Sequence, residues 1–333
     1  MRGVRMGEAS LAEHTFARRL ADMVLSGGVA GRDELMALVD EPLAHLAKAA
    51  DEIRARCCGD EFDLCTIMSV KSGRCGEDCK FCAQSTRWQT TVSCSPFDTV
   101  ENVAACACEA FGAGAHRFSM VSSGGRIAAG ELEIACNSAR EIRATQCGGV
   151  CASFGLLDRK GFEKLREAGV TRIHNNLETS RSFFPKICTT HTYDEKLESI
   201  SDARAVGLEV CSGGIVGMGE TWNDRIDLAL ELRSLGVVSV PINVLNPLPG
   251  TPLEKLSPLS IDEVCRVFAI FRFALPCVSL RLAGGRALLP DAGRACLSSG
   301  ANAAISGDML TTKGFAIQDD KRMFEEEGFV SYW

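Results

Sequence analysis

No stretch of this 333-residue chain approaches the ~18 uninterrupted apolar residues that a membrane-spanning helix requires. It also has no run of Lys or Arg. With 36 basic against 43 acidic residues and a net charge of −7, it lacks the basic face or stripe that nucleic-acid binding demands. The N-terminal segment carries basic side chains but no apolar h-region, and Glu8, Glu13 and Asp22 oppose a transit peptide. With no export signal, the expected location is the cytoplasm. No low-complexity linker interrupts the chain, and nothing marks a domain boundary after residue 60.

The bulk composition is ordinary. An apolar fraction of 46% and a charged fraction of 24% suit a globular protein with a sizeable core. Cysteine is the outlier, with 17 residues. Disulfide-rich scaffolds are short and exported, whereas this chain is long and unsignalled, and an odd count rules out complete internal pairing. Thiols at this density point to metal or cluster binding, with the remainder behaving as small apolar residues.

Residues 1 to about 56 read as helical: Leu11, Phe16, Leu20, Met23 and Val24 recur at helical spacing, Gly27-Gly28 ends that segment, and Asp33-Glu34 opens another. The pattern then changes to short β-type runs alternating with amphipathic segments. Strands are expected at 61–69, 116–121, 149–154, 171–176, 208–213, 237–242, 277–282 and 302–306. Helices are expected near 98–113, 131–145, 158–169, 193–206, 222–235, 260–274 and 290–299. Gly114, Gly169, Gly207 and Gly236 stand at plausible helix ends. Eight βα units imply a parallel sheet closed into a (β/α)8 TIM-type barrel, with an open sheet as the alternative should 237–242 or 302–306 fail. The expected divisions are a helical extension over 1–58, the barrel over 59–316 and a tail over 317–333. In a barrel, chemistry gathers at strand C-termini and the loops beyond them.

The strongest motif is GRCGEDCKFCAQS at 73–85, directly after the first strand. Cys75, Cys79 and Cys82 have the spacing C-x3-C-x2-C, and glycines at 73 and 76 let the loop turn successive sulfurs inward. A four-iron cube needs four ligands, and no fourth cysteine is local. Zinc sites more often pair two C-x2-C units at a distance. An iron without a protein ligand is an open coordination site, the requirement for holding S-adenosylmethionine through its amino and carboxylate groups for reductive cleavage.

This motif and the barrel resemble the radical S-adenosylmethionine superfamily. Within it, IMSVKSGRCGEDCKFCAQS, HNNLETS, EVCSGGIVGMGET, VPINVLNPLPGTPL, RLAGGR and ISGDMLTT resemble the biotin synthase family over about residues 60–315. The resemblance implies a [4Fe–4S] cluster on Cys75, Cys79 and Cys82. Radicals made by cleaving S-adenosylmethionine would abstract hydrogen from two carbons of dethiobiotin, and an auxiliary iron–sulfur cluster would give up the inserted sulfur. It places Phe81 near the adenine, Asn176 and Glu178 at the ribose, and Arg117 and Lys196 near the methionine carboxylate. Ser122 and Ser123 would offer carbonyls to the methionine amine. Asn176 and Asn243 would reach the ureido ring of dethiobiotin, and Thr311 and Thr312 its carboxylate. It further implies an electron donor such as flavodoxin or ferredoxin, and a homodimer.

The auxiliary site departs from the family pattern of three cysteines and an arginine. Cys151, Cys211 and Arg281 match, but the second-strand position is Ser119, and a serine alkoxide is a hard, rarely used iron ligand. Cys65 in the first strand and Cys188 in KICTTHTY are the available substitutes. The expectation is an auxiliary cluster on Cys65, Cys151, Cys188 and Cys211, either [2Fe–2S] or a four-iron variant, with Arg281 as a ligand or an adjacent charge. The bland alternatives are a small lumen residue at Cys65 and a spare loop thiol at Cys188. His191 reads as structural, and His174 leaves a site role open. Two further readings remain: a hydrogenase-maturation or thiazole-forming relative within the superfamily, and an electron-transfer or cluster-carrier protein outside it.

Overall fold

The computed structural model describes residues 15–145 and 148–331. Leu11 and Cys147 lie outside the described residues.

Three helices form the N-terminal extension: α1 (Phe16–Leu25), α2 (Arg32–Ala37) and α3 (Leu43–Cys58). Thr15 caps α1 by accepting from the Arg18 amide at 3.2 Å, and the helix buries Ala17, Leu20, Ala21 and Val24. The first helix ends before Gly27-Gly28, and Asp33-Glu34 open the second, as expected, while Pro42 marks a third start within the same stretch.

The barrel follows as β1 (Asp63–Lys71), α4 (Val100–Gly112), β2 (Arg117–Ser122), α5 (Ala129–Ala144), β3 (Gly149–Ser153), α6 (Arg159–Glu167) and β4 (Arg172–His174). It continues with α7 (Phe184–Ile187), α8 (Tyr193–Ala205), β5 (Glu209–Cys211), β6 (Gly214–Val216), α9 (Trp222–Ser234), β7 (Ser239–Val244), α10 (Ile261–Ala274), β8 (Ser279–Leu282), α11 (Arg294–Leu297), β9 (Ala303–Ser306) and α12 (Ile317–Glu326). Side chains of Thr99, Asp158, Thr192, Thr221 and Ser260 cap α4, α6, α8, α9 and α10.

All strand pairings in the sheet are parallel. Their order β5-β4-β3-β2-β1-β9-β8-β7-β6 closes through Cys211 beside Ser239. β5 and β6 are two halves of one strand, both running along β7, so the barrel has eight positions. The break falls at Ser212-Gly213, where neighbouring backbones come close. A Cβ on Gly213 would stand 2.0 Å from the Pro241 carbonyl oxygen, and one on Gly214 2.4 Å from that of Glu178.

Helix α10 is apolar nearly all round, with Val264, Val267, Phe268, Ile270, Phe271 and Phe273 buried. The barrel covers one side and α3 the other, as a helix with no polar face requires. The segment expected as a tail carries α12, which takes the eighth helix position. Its Phe324 stacks on Phe62 at the entry to β1, and Asp320 pairs with buried Arg286 beyond β8.

Candidate active site

Parallel strands present their C-terminal ends on one side, and there a cavity of about 420 Å³ opens into the lumen. Every residue expected at the site lines it.

The cysteine loop forms one wall. The Cys75 amide donates to the Gln84 carbonyl at 3.1 Å, Thr86 returns a bond to the Cys75 carbonyl at 2.8 Å, and Cys82 donates to the Cys79 carbonyl at 3.0 Å. Trp88 Nε1 holds the Cys79 carbonyl at 3.0 Å. Burial pushes the Cys82 thiol up to about 11, so a thiolate there calls for a cation. The loop faces the end of β2, where Ser122 Oγ is buried with no hydrogen-bond partner among the described residues. Three inward thiols beside an orphaned hydroxyl suit a cluster with one iron left for a small polar ligand. Phe81 and Ser123 line the same wall, and Ser123 Oγ donates to the Gly73 carbonyl at 2.7 Å.

Beyond β4 the chain bends so that Asn176 and Glu178 enter the cavity. Glu178 sits at φ 71°, a strained conformation for a non-glycine residue, held by backbone bonds to Gly213 and Ile215. Burial pushes its carboxyl up, against the opposing pull of Lys196 and His174. Asn176 Nδ2 donates to Glu178 at 3.3 Å and its Oδ1 accepts from Gly213 N at 2.9 Å. Lys196 Nζ, itself buried, donates to the Asn176 carbonyl at 2.9 Å. Asn243 staples the far rim, donating to the Gly214 carbonyl at 3.0 Å and accepting from Gly284 N at 2.9 Å. Each amide keeps one hydrogen or lone pair for a ligand. Thr311 and Thr312 close the mouth on the loop after β9.

Deeper in the lumen, β-strand register decides what meets. Ser119 stands beside Cys151, and Cys65 lies one inward position lower, level with Arg117. The Cys151 thiol is held below its ordinary range by a hydrogen bond with Cys65, and Arg117 and Arg172 lower it further against burial. Cys211 lies level with His174, and its sulfur contacts Ser239 Oγ at 3.4 Å. Cys65, Cys151 and Cys211 therefore share the lumen.

Two expectations change. Cys188 is not with the lumen thiols: its sulfur is 3.7 Å from Cys79 Sγ and 3.3 Å from His191 Nδ1, because Asp78 ties the KICTTHTY loop to the cysteine loop. Arg117 is the first residue of β2 and so lies at the foot of the barrel, 3.8 Å from Asp63 and 3.7 Å from Glu209, while Lys196 lies with Asn176 beyond β4. Arg281 spends its guanidinium on Asp63 Oδ2 at 2.6 Å, on the Asp63 and Ala304 carbonyls at 2.9 Å each, and on Ser239 Oγ at 3.3 Å. These bonds hold its charge beside the lumen thiols. Asp63, which pairs with Arg281 and lies near Arg172 and Arg117, is a site residue that no sequence motif marks, although its place two residues before Cys65 puts both on one strand face.

Residues 69–232 match the Radical SAM superfamily, and residues 241–330 match the Biotin and Thiamin Synthesis associated domain. Biotin synthase from Clostridium botulinum is 50% identical over 311 residues, covering 93% of this chain and 98% of that protein. The chain belongs to the biotin synthase family. Biotin synthases from Akkermansia muciniphila and Brachyspira hyodysenteriae are 49% and 47% identical, over 93% of this chain and 97% and 93% of their own. Among solved structures, methylornithine synthase superposes with a TM-score of 0.82 at 20% identity, covering 94% of this chain and 97% of its own. An [FeFe]-hydrogenase maturase superposes at 0.81 and 15% identity, covering 97% and 77%. Those two share the fold, whereas the sequence identity separates the biotin synthase family from the hydrogenase-maturation alternative.

Proposed function

We propose that this chain converts dethiobiotin to biotin by radical insertion of sulfur, with S-adenosylmethionine as co-substrate. The observation that carries it is one cavity lined by the cysteine triad at its mouth and by Cys65, Cys151 and Cys211 in its lumen, with Asn176 and Asn243 between. When bound, a reduced [4Fe–4S] cluster on Cys75, Cys79 and Cys82 supplies the electron that cleaves S-adenosylmethionine, and an auxiliary iron–sulfur cluster supplies the sulfur.

The chain's own residues do the positioning. Lys196 faces the methionine carboxylate, while carbonyls near Ser122 and Ser123 accept from the amine. Glu178 and Asn176 take the ribose hydroxyls, and Phe81 flanks the adenine. The free hydrogen-bonding positions of Asn176 and Asn243 hold the ureido ring, and Thr311 and Thr312 take the substrate carboxylate. Cys65, Cys151 and Cys211 hold the auxiliary cluster, with Arg281 and Asp63 setting the charge beneath it. Three thiolates without Ser119 or Arg281 as ligands favour a four-iron auxiliary species over a [2Fe–2S] one. A one-electron donor of the flavodoxin or ferredoxin type, a homodimer and a cytoplasmic location complete the reading. Among the described residues no helix is long and apolar enough to cross a membrane.

The test is an anaerobic incubation of cluster-loaded chain with a reductant, S-adenosylmethionine and dethiobiotin. The expected products are 5′-deoxyadenosine, formed in dependence on dethiobiotin, and biotin. Intact clusters that yield deoxyadenosine but no biotin would leave the superfamily chemistry and overturn the substrate.

A further inference from the structure

The loop at 188–191 brings two groups that the proposed reaction does not use, Cys188 and His191, against Cys79, which it does. Cys188 Sγ lies 3.7 Å from Cys79 Sγ, 3.3 Å from His191 Nδ1 and 3.8 Å from His191 Nε2. One ligand atom from each of Cys79, Cys188 and His191 can be chosen so that all lie within 4.8 Å of one another. A tetrahedral zinc ion has Zn–S bonds of about 2.3 Å and Zn–N bonds of about 2.0–2.1 Å, which set its thiolates about 3.8 Å apart and each thiolate about 3.5 Å from an imidazole nitrogen. The two spacings at Cys188, 3.7 Å to Cys79 Sγ and 3.8 Å to His191 Nε2, are close to two edges of that tetrahedron, and the third pair lies within 4.8 Å. Thiolates on two different irons of a cube stand farther apart, so Cys188 is not placed as a further ligand of the radical cluster.

The surroundings are built to match. Glu77 Oε2 lies 2.7 Å from His191 Nδ1, which engages that nitrogen and leaves Nε2, 3.8 Å from Cys188 Sγ, as the one free to ligate in a carboxylate–histidine–metal arrangement. Thr190 Oγ1 bonds Glu77 in turn. Asp78 accepts from the Thr189 and Thr190 amides at 2.8 and 3.2 Å, holding the two loops together across some 110 residues of chain. Cys188 is 3% exposed and the His191 side chain 9%.

We propose that Cys79, Cys188 and His191 form a mononuclear site for a thiophilic divalent cation, with zinc the best match, and that this site and the radical cluster exclude one another because both need Cys79. On binding, both thiols release their protons to solvent, and a water completes the tetrahedron. The exclusion rests on Cys79 being a cluster ligand, whereas the existence of the site does not. Its consequence is a checkpoint on assembly: a chain that has taken zinc cannot load iron at its radical site until the zinc is removed.

The test uses the full-length, cluster-free chain under anaerobic conditions, titrated with Co2+ alone. One equivalent should bind with the intense visible absorption of a tetrahedral thiolate site, and Zn2+ should bleach it. Cys188→Ser and His191→Gln should each weaken cobalt binding at least tenfold, and Glu77→Gln about 10- to 100-fold. Cys75→Ala, which touches only the cluster triad, should bind cobalt within twofold of the parent chain. Zinc-preloaded chain should then incorporate less iron than zinc-free chain, and Cys188→Ser should load iron equally in both cases. Undiminished cobalt binding in Cys188→Ser, or equal loss in Cys75→Ala, would assign the ion to the C-x3-C-x2-C loop and overturn the site. Cobalt binding as described with full iron uptake after zinc would overturn the exclusion alone.

Discussion

Replacing Asp63 with Asn removes the carboxylate paired with Arg281 at the foot of the barrel and leaves Glu209 to face Arg172 and Arg117. Asp63 Oδ2 is 2.6 Å from Arg281 Nη2, 3.7 Å from Arg172 Nη1 and 3.8 Å from Arg117 Nε, and Oδ1 is 3.7 Å from His116 Nδ1. The Arg281 side chain is 2% exposed, so the variant leaves a buried cation with carbonyls around it but no counter-charge. Breaking one side of such a pair costs about 3–5 kcal/mol. For a chain of this length the unfolding entropy is about 0.7 kcal/mol/K, which converts the loss to a fall in Tm of about 4–7 °C. The pH dependence has a definite sign. Burial alone would raise the Asp63 carboxyl, but Arg281, His116 and Arg172 outweigh it and hold the group well below the usual carboxylate range. A depressed folded pKa stabilises above the unfolded value of about 3.9 and loses that stability as pH falls below it. Melting of cluster-free wild type and Asp63→Asn, followed by circular dichroism, should show a constant gap from about pH 7 to pH 5 that narrows below about pH 4. A double-mutant cycle with Arg281→Met should give a coupling of at least about 1 kcal/mol. A Tm change under about 1 °C, or a gap that does not respond to acid, would refute the assignment of Asp63 as the anchor of Arg281.

Three other outcomes are expected. Lys196→Ala removes a charged hydrogen bond worth about 1.5–3 kcal/mol and should weaken S-adenosylmethionine binding about 10- to 100-fold, measured by equilibrium binding to the loaded chain. Cys151→Ala should lose the iron and sulfide in excess of one four-iron cluster, whereas Cys188→Ala should keep it, as read by anaerobic iron and sulfide assays. Asp224, at the start of α9, is held at about 2 because bonds from Ser180, Thr221 and Ser182 overcome the effect of its partial burial. Asp224→Ala should cost about 1 kcal/mol at neutral pH, and urea midpoints should show that penalty shrinking as pH falls from about 4 toward 2, since the stabilisation exists only above the unfolded carboxyl pKa.

Much of the barrel could be read from the chain, because each strand is a short β-type run and helix starts carry Thr, Asp or Ser caps. The interruption at Ser212-Gly213 was not visible: CSGG reads as the end of a strand, while its cause is the approach of the Pro241 and Glu178 backbones from elsewhere. Helix α12 carries no capping side chain to mark its start in the sequence, and its place follows from Phe324 meeting Phe62 and Asp320 meeting Arg286. The cysteine triad was legible because its ligands are local. Arg117 was misplaced because height along a barrel depends on strand register, which the spacing of residues within one strand does not reveal. Cys188 was misassigned for a related reason, since its partner Cys79 is 109 residues away and the two meet only through the packing of two loops.

In the proposed reaction, sulfur held in the lumen by Cys65, Cys151 and Cys211 becomes the sulfur of biotin. Chain reconstituted with heavy-isotope sulfide should be turned over once, anaerobically, with S-adenosylmethionine, reductant and dethiobiotin, and the biotin formed examined by mass spectrometry. The expected product is biotin carrying the heavy sulfur, with none from Cys151→Ala even though its radical cluster is intact. Biotin of natural isotopic mass, or labelled biotin formed normally by Cys151→Ala, would contradict it.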